Sequence, residues 1–142
     1  YHVELTMRDI LSYKLNDDSL LIDTGSPHYV KKVDDLENLD IINKGAAIRY
    51  DKSISDDGVN VDFLLNKDGV IKIRTYERGV ENETLACGTG VTASAIAASL
   101  WFGGDNIDIY TQIAKLNVRF QKENNTFNWF RKIWTTYSKK IT

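Results

Sequence analysis

Residues 90–102, GVTASAIAASLWF, hold no charged side chain and place small or apolar residues at nearly every position. The run reads as a helix begun near Gly88 and closed by Gly103-Gly104, since glycine commonly follows the last helical turn. A helix with alanine on most faces has no side suited to water. It must be enclosed, and the segments around it offer sheet to enclose it.

Those segments are mostly strand-like. "HVELTM", "LSYKL" and "SLLIDTG" open the chain, with Asn16-Asp17-Asp18-Ser19 as a turn between the last two. "VNVDFLL" and "VIKIRTYER" alternate across a hairpin turn at Asn66-Lys67-Asp68-Gly69. "NIDIYTQ" and "KLNVRF" follow the apolar helix as further strands. "DDLENLDIINKGAAIRY" spaces Leu36, Leu39, Ile42 and Ala46 as a second helix ending near Gly45. "DTGSPHYV", with the single proline Pro27, is assigned to no element. The expected fold is α/β of the α+β type: a curved mixed or barrel-like sheet around a central apolar helix.

Composition narrows the function classes. The 142 residues suffice for one domain with its own core, with 42% hydrophobic and 27% charged residues. A net charge of −2 gives no global pull toward nucleic acid or an anionic membrane. No apolar run approaches the ~20 residues that span a bilayer, and no secretory leader is visible. One cysteine cannot close an internal disulfide, which fits a reducing, cytoplasmic setting. The chain starts at Tyr1, within strand-like sequence and without an initiator Met, and is expected to be a piece of something longer.

That cysteine, Cys87, lies in "ERGVENETLACGTG", where a strand ends, a polar loop runs and the apolar helix begins. At a helix N-terminus, unpaired N–H groups and the positive dipole end favour negative charge. A thiol there ionises more readily than its free value of ~8.5. Gly88 and Gly90 let a ligand approach the backbone, and the amides of Gly88, Thr89 and Gly90 could cradle a carboxylate or phosphate. A base beside an anion cradle suits proton removal from the carbon next to a carboxylate. Other readings stay open at this point. A lone cysteine is commonly packing, and Thr-Leu-Ala-Cys before a small-residue helix fits a tight helix–sheet contact. A Gly-x-Gly lacks the six-residue dinucleotide pattern and the Lys-Ser/Thr of a P-loop. Cys87 could also attack a carbonyl with His28 as base.

"ERGVENETLACGTG", with "DTGSPHYV" upstream and "GVNVDF" between, resembles the C-terminal half of the diaminopimelate epimerases over about Leu20 to Phe102. The resemblance implies an isomerase of lysine and cell-wall precursor synthesis that interconverts L,L- and meso-diaminopimelate with no cofactor, pyridoxal phosphate and metal included. It implies that Cys87 is one of two catalytic cysteines, and that Gly88 and Thr89 hold the reacting carboxylate. Glu77 would lie near the reacting amino group and Arg78 would pair with the distal carboxylate. Asn60 would read the distal amino acid, and His28 would be the active-site histidine. It further implies two similar lobes, each a curved sheet around a helix, with the site between them. Residues 1–19 are then end strands leading from an N-terminal lobe. Residues 20–142 are the C-terminal lobe, with an atypical tail over 121–142. The second cysteine belongs to a Cys-Gly-Asn-Gly type motif that this chain lacks, so the chain alone is expected to be inactive. The family is commonly dimeric, which leaves a homodimer open.

Departures bear on that expectation. Ser26 stands where the family often has Asn, a shorter group at a substrate-binding position. "QIAKL" replaces a late Gly-Gly turn, and "FNWFRKIWTTYSKKIT" replaces a Gly-Pro-containing last strand, by divergence or by a frame slip. Without a native strand there, the lobe would lose an edge. A related racemase of the same fold is the alternative enzyme. The non-enzyme alternative is a nucleic-acid module built on Trp129 or Trp134 beside Arg131 and Lys132. The overall charge argues against it.

Overall fold

A computed structural model of the chain describes residues 2–10, 12–86, 88–123 and 129–138. Its strands are β1 (His2–Met7), β2 (Lys14–Leu15), β3 (Ser19–Asp23), β4 (Pro27–Lys32), β5 (Asn60–Lys67), β6 (Val70–Glu77), β7 (Asn82–Thr84), β8 (Asn106–Tyr110), β9 (Lys115–Glu123) and β10 (Trp129–Ser138). The helices are α1 (Ile41–Arg49) and α2 (Gly88–Phe102). One mixed sheet runs β1-β10-β9-β8-β6-β5-β4-β3-β2, with β7 attached to β6. The fold is thus the expected curved sheet about an apolar helix.

Gly90 to Ser99 of α2 are all buried, and the helix touches β3, β4, β5, β6, β8, β9 and β10. Its small side chains let strands pack close on every side, and the main core forms there. Leu20, Ile22, Val30, Leu64, Ile71, Ile73, Ile109, Val118, Phe130 and Ile133 close around Val91, Ile96 and the alanines. None of the described helices is long and apolar enough to cross a membrane.

The two parallel pairings, β4 with β5 and β6 with β8, require crossovers, and the two helices supply them on opposite faces. α1 packs outside on β5 and β6 over a smaller core of Leu36, Ile41, Val59, Val61, Phe63 and Tyr76. Strand β5 therefore has helix on both sides, and Asn60 to Leu64 are buried without interruption. The β5–β6 turn is the expected hairpin: Asp68 and Gly69 both take positive φ, 54° and 86°, as a two-residue primed turn needs.

Three local features differ from the sequence expectation. α1 begins later, because Asp40 caps it by accepting the Asn43 amide at 3.2 Å. Leu36 is buried from the preceding turn, and Ile42 faces outward. The helix also runs through Gly45 rather than stopping there. Gly45 lies against Tyr76, where an added Cβ would come within 2.6 Å of the Tyr76 Cβ. "PHYVKK" is a strand, β4, with Pro27 as its first residue, a place where a missing N–H is tolerated. A short β7 forms inside the loop before α2.

The unusual tail does not cost the sheet a strand. β10 pairs antiparallel with β9 on one side and β1 on the other, and buries Phe130, Ile133 and Thr135. A register shift between Arg131 and Trp134 accompanies a positive φ of 50° at Lys132, a bulge that keeps both ladders paired. Arg119 lies over the Trp134 ring at 4.9 Å. Residues 124–128 and 139–142, with Lys139 and Lys140, lie outside the described residues, as do the side chains of Trp129 and Arg131.

Candidate active site

The first turn of α2 meets the ends of four strands. Parallel pairing sets His28 of β4 beside Asn60 of β5. The β3–β4 turn brings Thr24, Gly25 and Ser26 over the helix start. There Thr24 Oγ1 donates to the Thr89 carbonyl at 2.7 Å. Gly25 has φ of +128°, and a Cβ on it would lie 3.2 Å from Thr89 Cγ2. Gly90 is held to glycine by its neighbours: an added Cβ would fall 2.8 Å from Asp62 Oδ1 and 3.2 Å from His28 Cε1.

A continuous polar network results. His28 Nε2 lies 3.1 Å from Thr89 Oγ1 and 3.1 Å from Ser26 Oγ, and the two hydroxyls are 3.3 Å apart. Asn60 Nδ2 donates to Ser26 Oγ at 3.3 Å and to the Pro27 carbonyl at 3.1 Å. The Arg78 amide donates to Asn60 Oδ1 at 2.9 Å, tying the loop after β6 to the same cluster. Beneath it, His28 Nδ1 is 2.5 Å from Asp62 Oδ2, and Asp62 Oδ1 accepts from Thr75 Oγ1 at 2.7 Å. The His28 and Asp62 side chains are 1% and 0% exposed. Within α2, Thr92 and Ser94 return hydroxyl bonds to the Gly88 and Gly90 carbonyls. The amides of a first helical turn have no partner within the helix, so this end is suited to anionic groups.

Arg78 reaches over the rim. Its Nη1 donates to the Gly58 carbonyl at 3.0 Å and the Asp57 carbonyl at 3.3 Å, and no acidic side chain pairs with it among the described residues. Its loop is held from outside by Glu81. That carboxylate accepts from the Tyr50 hydroxyl, from Arg49 Nε at 2.9 Å and from the Gly79 amide at 2.7 Å. The Tyr50 hydroxyl first, then Arg49, lower its pKa from the usual 4.5 to about 2. Glu77, at the end of β6, accepts from Thr84 Oγ1 at 3.2 Å.

Of the expected residues, Ser26, His28, Asn60 and Thr89 share one network, and Arg78 joins it through its backbone. Gly88 opens α2 beside Leu5 of β1, where an added Cβ would come 3.5 Å from the Leu5 side chain. Glu77 stands apart, bonded to β7. Cys87 lies outside the described residues; it directly precedes Gly88 in the sequence. Sequence reasoning missed Asp62, Thr75 and Thr24. Asp62 alone left a signal, as a charged residue inside the alternation of "VNVDFLL". Among the described residues no group of three or more His, Cys, Asp or Glu could hold a metal ion.

Solved structures place this architecture in a class. It is similar to a PhzC/PhzF phenazine biosynthesis protein from Clostridium difficile (strain 630), with TM-score 0.53 and 21% identity over 82% of this chain and 39% of that one. A PhzF-family phenazine biosynthesis protein of Bacillus anthracis gives TM-score 0.52 and 16% identity over 88% and 38%. At these identities the shared property is the fold. The sequence is more specific, and the chain belongs to the diaminopimelate epimerase family, whose model matches residues 20–131. A diaminopimelate epimerase of Flavobacterium psychrophilum is 43% identical over 128 residues, covering 88% of this chain and 50% of the relative. One from Aquifex aeolicus is 50% identical over 82 residues, covering 57% of this chain and 29% of the relative. The chain spans half the length, or less, of these relatives.

Proposed function

We propose that this chain is the cysteine-bearing C-terminal lobe of an isomerase that interconverts L,L- and meso-diaminopimelate. One observation carries the reading. Ser26, His28, Asn60, Thr89 and the Arg78 amide form one hydrogen-bonded cluster around the start of α2, next in sequence to Cys87. In this reading residues 1–19 lead in from an opposing lobe, and 20–142 form this one.

The chemistry follows from what these groups can do. Cys87, as thiolate, takes the α-proton: the C–H bond breaks, an S–H bond forms and the electron pair stays on carbon. The carboxylate beside that carbon accepts the developing charge, held by the amides of Gly88 and Thr89 at the positive end of α2. A thiol from the opposing lobe returns a proton to the other face and is left as thiolate. Protons and electrons balance with no cofactor. Glu77, by family resemblance, is assigned to the reacting ammonium, and to serve it the carboxylate must leave its bond from Thr84 Oγ1. Arg78 offers a planar fork to the distal carboxylate, and Asn60 reads the distal amino acid. A reducing, cytoplasmic setting keeps both sulfurs out of a disulfide.

Two bases are required and this chain has one cysteine, so the 142 residues alone should not epimerise diaminopimelate. Joined to a lobe bearing a Cys-Gly-Asn-Gly cysteine, they should. Equal turnover by the chain alone and the joined protein would overturn the reading. Within the active protein, Arg78→Met should weaken diaminopimelate much more than a monocarboxylic amino acid. Equal losses would separate Arg78 from the distal carboxylate and favour a racemase of other specificity.

A further inference from the structure

Asp62 has no part in the steps above, yet it is a fully buried carboxylate, an expensive group to enclose unless its oxygens are satisfied. Both are. Thr75 Oγ1 donates to one oxygen at 2.7 Å, and His28 Nδ1 lies 2.5 Å from the other. Gly90 keeps that place open, since a Cβ there would sit 2.8 Å from Oδ1. The bonds to Thr75 and His28 hold the carboxylate against the ring.

An ionised carboxylate only accepts, so the imidazole proton belongs on Nδ1. Nε2 then presents a lone pair to the Ser26 and Thr89 hydroxyls, each 3.1 Å away. One hydroxyl must give its proton to the ring, and the second has its neighbour's oxygen 3.3 Å away. With the proton on Nε2 instead, both hydroxyls would accept from the ring or release their protons toward a ligand. The buried acid thus sets the direction of the hydrogen bonds at the mouth of α2.

We propose that Asp62 is a positioning residue that acts through His28, holding the ring in one plane and in its Nδ1–H tautomer so that the Ser26–Thr89 hydroxyl pair donates inward. This ordering fixes the Thr89 side chain and, through it, the first turn of α2. The catalytic consequence rests on the epimerase reading, whereas the tautomer does not.

The test is nitrogen-15 NMR of the imidazoles in the 142-residue chain at pH 7, with His2→Gln assigning the two histidines. The expected spectrum shows His28 protonated on Nδ1 alone. Asp62→Asn should mix or reverse the tautomers, because the amide can turn its NH₂ toward Nδ1. Thr75→Val, which leaves the carboxylate in place, should preserve them. A wild-type His28 protonated on Nε2, on both nitrogens, or averaging rapidly would overturn the proposal. So would a tautomer unchanged in Asp62→Asn. Should that variant fail to fold, the wild-type and Thr75→Val spectra decide by the same criteria. In the two-lobe enzyme, Asp62→Asn should lower kcat by roughly 100-fold with KM little changed, the scale on which a misplaced group acts. Loss in KM alone would contradict the role. An inactive wild-type enzyme with the expected tautomer would overturn the epimerase reading and leave the positioning role standing.

Discussion

The two faces of β5 are both buried, and they are buried in different ways. Toward α1, Val61 and Phe63 pack with Leu36, Ile41 and Tyr76, where volume and apolar area are what matter. Toward α2, Asn60 and Asp62 precede Leu64, and each polar atom meets a named partner. The first face can be repacked within limits of size. The second depends on direction, because a buried donor or acceptor left alone costs its full desolvation. A single strand therefore anchors the fold with one face and builds the site with the other.

The largest expected effect tests the apolar face. Phe63→Ala should cost about 3–5 kcal/mol of stability in urea unfolding, the usual scale for a large buried aromatic. The His28 spectrum in the folded protein should not change. A changed tautomer in Phe63→Ala would break the separation of the two faces.

Next is a pair of helical glycines, one on each face. Gly45→Ala drives a Cβ to 2.6 Å from Tyr76 and should cost about 1–3 kcal/mol by overpacking, with the site silent. Gly90→Ala presses on Asp62 Oδ1 and His28 Cε1. Both sites lie within helices, so the roughly 1 kcal/mol that alanine gains over glycine there offsets part of the cost in each. With its nearest approach at 2.8 Å rather than 2.6 Å, Gly90→Ala should lose less stability than Gly45→Ala but shift the His28 resonances. Shifts of equal size in both variants would show the faces to be mechanically coupled.

The smallest effect lies outside both faces, at Glu81. Its carboxyl is lowered to about 2 by the Tyr50 hydroxyl and Arg49. A depressed carboxyl stabilises the folded chain above its ordinary 4.5, and that contribution is lost as pH falls toward 2. Glu81→Gln should flatten the decline of the urea midpoint between pH 5 and pH 3. An unchanged slope would remove this clamp from the account of Arg78.

What the sequence made legible follows the same division. The enclosed helix and the Asp68-Gly69 hairpin were readable because periodicity and turn chemistry are local. The start of α1 was not, since Leu36 and Ile42 share helical spacing but not a helix face; Asp40 decides where the helix begins. β4 was hidden because its parallel partner β5 lies beyond an intervening helix, and Pro27 reads as loop. Among the site residues, the resemblance supplied Ser26, His28, Asn60, Arg78 and Thr89, and the fold gathers them. Asp62 was passed over although "GVNVDF" contains it. Its meaning depends on the register that sets Asn60 beside His28, and no stretch of the chain contains that register. The tail reads as an atypical replacement of a last strand, and β10 takes an interior place in the sheet with Phe130 and Ile133 in the core, a position that only the pairing with β1 and β9 sets.

The central claim is that Cys87 performs proton transfer at an α-carbon. Deuterium incorporation from solvent into diaminopimelate by the two-lobe protein, with and without Cys87→Ala, tests it most directly. The account predicts wash-in at the α-carbon by the parent protein and loss of epimerised, deuterated product in the variant. Undiminished wash-in and inversion after Cys87→Ala would contradict it.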